Sequence, residues 1–273
     1  MYFITISEML GTRGEQIARD VARSLNYSYY GEEEVLKASE EMGFFKDVQK
    51  LDEKSPPFFE KLFSVKPKVY LDRLQSVILE LAKKGNSVFF GKGSQFLLHS
   101  FGCALHVFVA GSTERRIQEM MQEKGVGREV AEKWIHQSDH DRRGFLRFAF
   151  DEDWLNPNLY DLILNTDKLS IDSAVKMIID AAKSDEIKTC GTDSIRLLGK
   201  LSLYRRVEST LWERDVMNQH LFFTAEDEDS VRLYGFVYSP DERESIGKIV
   251  KGIKGVKRVI NDLAIFPGSM GAA

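Results

Sequence analysis

The sequence predicts an α/β domain built on a buried parallel sheet flanked by helices, followed by a smaller α+β module. Three observations carry this expectation. Runs such as Ser87-Val88-Phe89-Phe90 and Leu105-His106-Val107-Phe108-Val109 are mostly apolar on both faces and alternate with amphipathic helical segments, as strands of a covered parallel sheet do. Short turns follow such runs at Gly11–Gly14, Gly91–Gly93 and 110–115, at the strand ends where an open parallel sheet binds its ligands. Over residues 182–193 the apolar periodicity stops and the chain turns polar, which marks a boundary.

Composition sets the outer limits. A chain of 273 residues suits two domains, and its 43% hydrophobic content supports sizeable cores. A net charge of −4 argues against a general nucleic-acid binder. Cys103 and Cys190 are far apart and give no metal-ligand spacing; Cys103, beside an apolar run, reads as a buried thiol. The N-terminus lacks the pattern of a secretory signal, and no apolar run is long enough to span a bilayer, so the expected location is cytoplasmic.

In chain order, Tyr2 to Ile6 is a strand, and Ile17, Ala18, Val21, Ala22 and Leu25 mark the helix after it. Gly31-Glu32-Glu33-Glu34 opens an acidic helix, its acids suited to the helix dipole. Residues 47–55 read as a charged loop, and Phe58, Phe59, Leu62 and Phe63 as a packing stripe. Tyr70, Leu74, Val77, Ile78 and Leu81 make an amphipathic helix. His106 in the later strand reads as a packed or hydrogen-bonded side chain. Residues 113–123 and 127–137 are two helices, with Arg115 and Arg116 in the first turn of the first, where cations oppose the dipole and fit a nearby anion. Residues 160–166 form the last strand of the domain, and Ile171 to Ile179 its last helix. Beyond the boundary, a helix around Leu201–Leu211 leads to strands at 221–223 and 231–237, a helix from Ser239 and a strand at 255–263; the tail after Pro267 reads as disordered.

The chemistry concentrates at two places. Strand, glycine turn, helix is how a phosphate loop is built, because the turn's N–H groups and the helix N-terminus face the anion. Gly11, Thr12, Arg13, Gly14, Glu15 and Gln16 occupy that frame, but no lysine lies between Met1 and Lys37 to reach the β/γ-phosphates. The second place is Asp139-His140-Asp141-Arg142-Arg143-Gly144-Phe145-Leu146-Arg147, since arginine forks match phosphate oxygens.

With these stretches placed, residues 1–183 resemble the cytidylate-kinase-like branch of the P-loop nucleoside monophosphate kinases. Ile4-Thr5-Ile6-Ser7, Ala82-Lys83-Lys84-Gly85, Val88 to Gly93, Val107 to Ala110, Asp139 to Arg147 and Tyr160 to Thr166 carry the resemblance, in the family's order. Residues 195–267 resemble a BON domain, through Val231 to Val237, Ser239 to Arg243 and Gly255 to Leu263, with 184–194 as linker and 268–273 as tail. The first resemblance implies ATP-dependent phosphoryl transfer to a nucleotide-like acceptor, with Mg2+. Gly11 to Gln16 would hold the donor phosphates, Lys92 and Arg115 would sit at strand ends, and Arg142 and Arg143, held by Asp139 and Asp141, would close over the transferred group together with Arg147. The metal ligand is not legible. The second resemblance implies a protein or membrane-surface partner.

Departures from the family pattern open an alternative. The family's G-S-G-G-R loop reads Gly11-Thr12-Arg13-Gly14-Glu15 here, placing an acid where the arginine belongs; Lys92 replaces a family arginine, and Tyr30-Gly31-Glu32-Glu33 replaces Y-D-[RK]-E. A carboxylate at a phosphate site repels the ligand unless it turns away. The sequence therefore predicts a nucleotide kinase-like phosphotransferase, with a catalytically impaired nucleotide-binding or scaffold protein as the alternative. Lys248, Lys251, Lys254 and Lys257 are a further candidate surface for a membrane.

Overall fold

A strand buried on both faces, as Phe3–Glu8 and Ala104–Ala110 of the first unit are, needs helices above and below it. The computed structural model describes residues 3–49, 66–187 and 189–266. The stripe at Phe58–Phe63 and the tail after Pro267 lie outside these residues. Among them, residues 3–38 and 84–191 form one compact unit, and residues 39–49, 66–83 and 192–266 a second.

In the first unit, β1 (Phe3–Glu8), β2 (Ser28–Tyr30), β3 (Ser87–Phe90), β4 (Ala104–Ala110) and β5 (Leu162–Asn165) form one sheet in the order β2-β3-β1-β4-β5. All its pairings are parallel, with Ile4 opposite Val88 on one side and Leu105 on the other. Helices α1 (Gly14–Leu25) and α8 (Ile171–Ala182) bury Ile17, Val21, Ala174 and Ile178 against Ile4, Ile6, Val107 and Val109. His106 is buried in β4, its Nδ1 2.7 Å from the Thr5 hydroxyl, and burial pushes its pKa down to about 4.

The thiol reading of Cys103 is corrected. Cys103, just before β4, and Cys190 are joined in a disulfide with Cα atoms 5.2 Å apart. The closing segment of the first unit returns to the start of β4, a proximity that a separation of 87 residues conceals.

Helix α7 is the second difference. The sequence suggests a helix over 127–137 leading into a separate charged stretch at 139–147. The structure has one helix, α7 (Arg128–Phe150), preceded by α6 (Thr113–Lys124) and, between β3 and β4, the short α5 (Ser94–Leu98). Gly144 is an interior helical residue, because Ile135, Phe145 and Leu146 keep one apolar face buried across it.

The second unit draws on three segments of chain. It contains the end of α2 (Glu32–Glu41), α3 (Phe45–Gln49), α4 (Lys66–Ala82), α9 (Thr192–Glu213) and a sheet of β6 (Leu221–Ala225), β7 (Ser230–Val237) and β8 (Arg258–Ile265) in that order. Residues 47–49, expected in a loop, belong to α3, whose Val48 is buried. Strands β6 and β7 are antiparallel; β7 and β8 are parallel, joined by α10 (Pro240–Lys251). Leu203, Val207, Leu233, Val237, Ile246 and Leu263 share their core.

Helix α4 is not simply amphipathic, since Asp72, Arg73, Gln75 and Ser76 are buried with its apolar residues. Some of the polar atoms find partners on α9, while Asp72 Oδ2, Arg73 Nε and Gln75 Oε1 have no hydrogen-bond partner among the described residues. Ser76 and Ser202 hydroxyls lie 3.1 Å apart, and Arg73 reaches Glu213 at 2.6 Å. Arg205 donates to Asp72 (3.2 Å) and to Glu208 (2.9 Å).

This cluster gives a pH prediction. Burial above all, then the neighbouring Glu208 charge, pushes the Asp72 carboxyl up to about 7 from its ordinary 3.8. Between those values the folded state holds a proton that the unfolded chain releases. The group's contribution is therefore complete below about pH 4 and lost as pH rises through about 7. The stability advantage of Asp72→Asn over the wild type is expected to grow by about 2 kcal/mol between pH 5 and pH 8. Urea denaturation at both pH values checks this; an advantage independent of pH would remove Asp72 as the titrating group.

Candidate nucleotide site

The loop between β1 and α1 has the phosphate-loop frame, and a side chain of the chain already fills part of it. Gly14, the first residue of α1, donates its N–H to Glu8 Oε2 at 2.6 Å. The Thr12 hydroxyl donates to the Met9 carbonyl at 2.8 Å and lies 3.3 Å from the same Glu8 oxygen. A Cβ at Gly14 would come within 2.7 Å of Glu8 Cβ, so only glycine admits this carboxylate. Burial pushes the Glu8 pKa up; the Arg142 charge is the largest opposing influence, followed by the Gly14 N–H.

Arg13 stands just before α1 with φ 60°, in the left-handed region. That conformation suits the glycine of the G-S-G-G-R pattern, and an arginine pays about 1 kcal/mol or more to adopt it. The Arg13 side chain is exposed. Glu15 turns away from the loop: it pairs with Arg19 at 2.8 Å and accepts from the Tyr29 hydroxyl at 3.3 Å.

Beside the loop lies a cavity of about 340 Å³. Gly11, Thr12, Arg13 and Gln16 form one wall, Gly111, Arg115, Arg116 and Glu119 a second, and Thr166 with Leu169 to Asp172 a third. It brings together the carboxyl ends of β1, β4 and β5. The third wall carried no signal of its own in the sequence; it is the turn after β5 and the start of α8. The volume falls in the range of small-ligand sites.

The cations expected to await an anion are mostly engaged. Arg116, 3% exposed, donates Nε to the Leu10 carbonyl (2.8 Å) and a two-pronged contact to Asp139 at 2.9 and 2.7 Å. Arg115 pairs with Glu119 at 2.8 Å. Asp139 thus holds Arg116, and Asp141 accepts from Gln137 at 2.8 Å; neither contact runs to Arg142 or Arg143. Arg142 packs over the Trp154 ring, 5.3 Å from its centroid, and its charge reaches Glu8. Arg143 and Arg147, four residues apart, share the exposed side of α7. Lys92 lies 3.8 Å from Glu32 and does not line the cavity. Glu8 is the residue that sequence reasoning missed, although an acid at the carboxyl end of the first strand was a visible signal.

The lysines of the second unit are likewise engaged. Lys248 pairs with Glu244 (2.6 Å), Lys251 donates to the Lys257 carbonyl, Lys254 donates to the Glu41 carbonyl (2.6 Å), and Lys257 pairs with Asp229 (3.0 Å).

Sheet order, an all-parallel register and a glycine loop opening α1 define a P-loop kinase-like α/β fold, with a small α+β domain after it. The chain belongs to the cytidylate kinase-like family, whose model matches residues 3–168, and residues 207–266 match the BON domain. Among solved structures it is similar to an uncharacterized protein from Eubacterium ventriosum, with 20% identity and a TM-score of 0.55 over 67% of this chain and 99% of that one. It is also similar to a shikimate kinase from Bacteroides thetaiotaomicron, with 15% identity and a TM-score of 0.42 over 67% and 99%. No curated protein matches the chain. Among the described residues, no helix is long and apolar enough to cross a membrane.

Proposed function

We propose that the first unit binds a nucleotide in the cavity beside Gly11–Gly14 while Glu8 caps the phosphate loop, leaving the chain catalytically impaired in this state. The observation that carries this reading is the 2.6 Å contact from the Gly14 N–H to Glu8. A phosphate loop works by offering such amides to the ligand. Here one of them is spent on an internal anion, which also repels a second anion placed beside it. The base and sugar of a nucleotide would lie between Gln16, Arg115 and the turn at 166–172, with Arg13 facing the phosphates. Output would pass through the BON domain to a protein or a membrane surface.

ATP is the ligand the family implies. For Mg2+ the chain's own donors at the loop do not fit. Glu8 already accepts the Gly14 N–H, and the Arg142 charge beside it disfavours a cation.

A second reading, phosphoryl transfer from ATP to a nucleoside monophosphate, is favoured by Arg142. Its charge reaches the position a phosphate would take from Glu8. Thermal shift with a panel of nucleoside mono-, di- and triphosphates, run beside a transfer assay, separates the two. The binding reading expects a saturable shift by a di- or triphosphate at about millimolar concentration without transfer. Turnover at about 1–100 s⁻¹ would decide for the kinase, and no shift by any nucleotide would end both.

A further inference from the structure

The sheet of the second unit has one face on its core and the other open to solvent. On the open face, Phe222 of β6 lies opposite Tyr234 of β7, with rings stacked 5.7 Å apart. Phe236 follows on β7, and Phe266 sits edge-on to it at 6.3 Å and 6.2 Å from Tyr238. These five aromatic residues are 40–67% exposed. Alternation would normally place polar residues on such a face. Fully burying an aromatic side chain removes about 150–250 Å² from water, so five half-exposed ones leave roughly 500 Å² of contiguous aromatic surface. That is at the upper end for a monomer's largest apolar patch.

Charge narrows what can cover it. Arg232, on the same face, is held by Glu226 at 3.2 Å and by Asp262. Arg258, opposite Ser230 on the same face, donates to the Ser230 hydroxyl at 3.0 Å, so two carboxylates stand against two guanidinium groups and the face offers no net positive field to nucleic acid or an anionic bilayer. A surface that is aromatic at its centre and self-neutralising at its rim is complementary to itself. A homodimer interface of standard size buries about 800 Å² per partner, roughly 65% of it apolar. Five rings supply about that apolar share.

We propose that this face binds the same face of a second copy of the chain, forming a two-fold dimer through Phe222, Tyr234, Phe236, Tyr238 and Phe266. An isologous contact of this kind closes on itself and leaves no aromatic surface for further growth.

Sedimentation velocity of the full chain, from about 0.5 to 50 µM, tests it; interfaces of this size fall within or below that affinity range. The wild type is expected at twice the mass of the chain. Phe236→Asp is expected to weaken association at least a hundredfold, with its circular dichroism unchanged. Tyr238→Ser, outside the strands, gives a second reading that does not depend on β7 tolerating a charge. A monomeric wild type over the whole range overturns the proposal, as does a dimer undiminished in both variants. A monomer that co-sediments with phosphatidylcholine or phosphatidylglycerol vesicles, and loses that with Phe236→Asp, assigns the face to lipid and also overturns it.

Discussion

Replacing Glu8 by Gln is expected to tighten binding of a nucleoside triphosphate by about a hundredfold. The carboxylate sits 2.6 Å from the Gly14 N–H that a phosphate oxygen would use. An incoming phosphate must displace it or share the site with it, and like charges a few ångströms apart in a half-buried setting cost a few kcal/mol. Gln keeps the shape and removes the charge. Glu8→Ala removes the cap altogether and is expected to bind at least as tightly. The wild type should approach these variants as pH falls, because burial raises the Glu8 pKa above its usual 4.5 and protonation neutralises the cap early. Stability moves in the same direction: the raised carboxyl contributes fully below about 4.5, and that contribution is lost as pH rises through the folded value. Isothermal titration of wild type and both variants with ATP, at pH 5.5 and 8, reads the affinities, and urea denaturation at the same pH values reads the stability. Equal affinity in all three proteins at both pH values would show that the ligand does not meet Glu8, and the capped-loop reading would fall.

Asp139→Ala is expected to destabilise the first unit by about 3 kcal/mol. Removing one partner of a buried pair leaves the other charge uncompensated, at a cost of about 3–5 kcal/mol, and partial exposure of Asp139 places this pair at the low end. Arg116 also fixes the loop through the Leu10 carbonyl, so nucleotide affinity should fall with stability. The resemblance instead gives Asp139 a part in arranging the lid arginines, which predicts lost turnover with an unchanged melt. Denaturant titration of the variant, with Asp141→Ala as a comparison whose partner is the neutral Gln137, separates a structural role from a positioning one. A change under about 0.5 kcal/mol would contradict the structural role.

The sequence by itself determined the elements and their order. Strand-period runs at Ile4–Ile6, Val88–Phe90 and Val107–Val109, and helical spacing through Val21, Ile78 and Ile178, are local patterns, and local patterns survive in one dimension. The glycine turn after β1 was legible for the same reason. So was the BON pattern around Tyr234-Gly235-Phe236, although not that its aromatic residues would gather on one open face. Tertiary structure alone decided what occupies the site. Glu8 was visible as an acid at the end of β1, but its role was not, because that depends on α1 starting where Gly14 can offer it an N–H. Arg116 looked like a cation awaiting an anion until α7 folded back and brought Asp139 to it across 23 residues. Helix α4 looked amphipathic until α9, 126 residues on, paired Ser202 with Ser76 and buried its polar side. Cys103 looked like a buried thiol until the end of the unit returned beside β4. In each case a charged or polar group was visible in the sequence and its partner was not. Periodicity reports which side of an element is buried, whereas partnership depends on which elements the fold brings together.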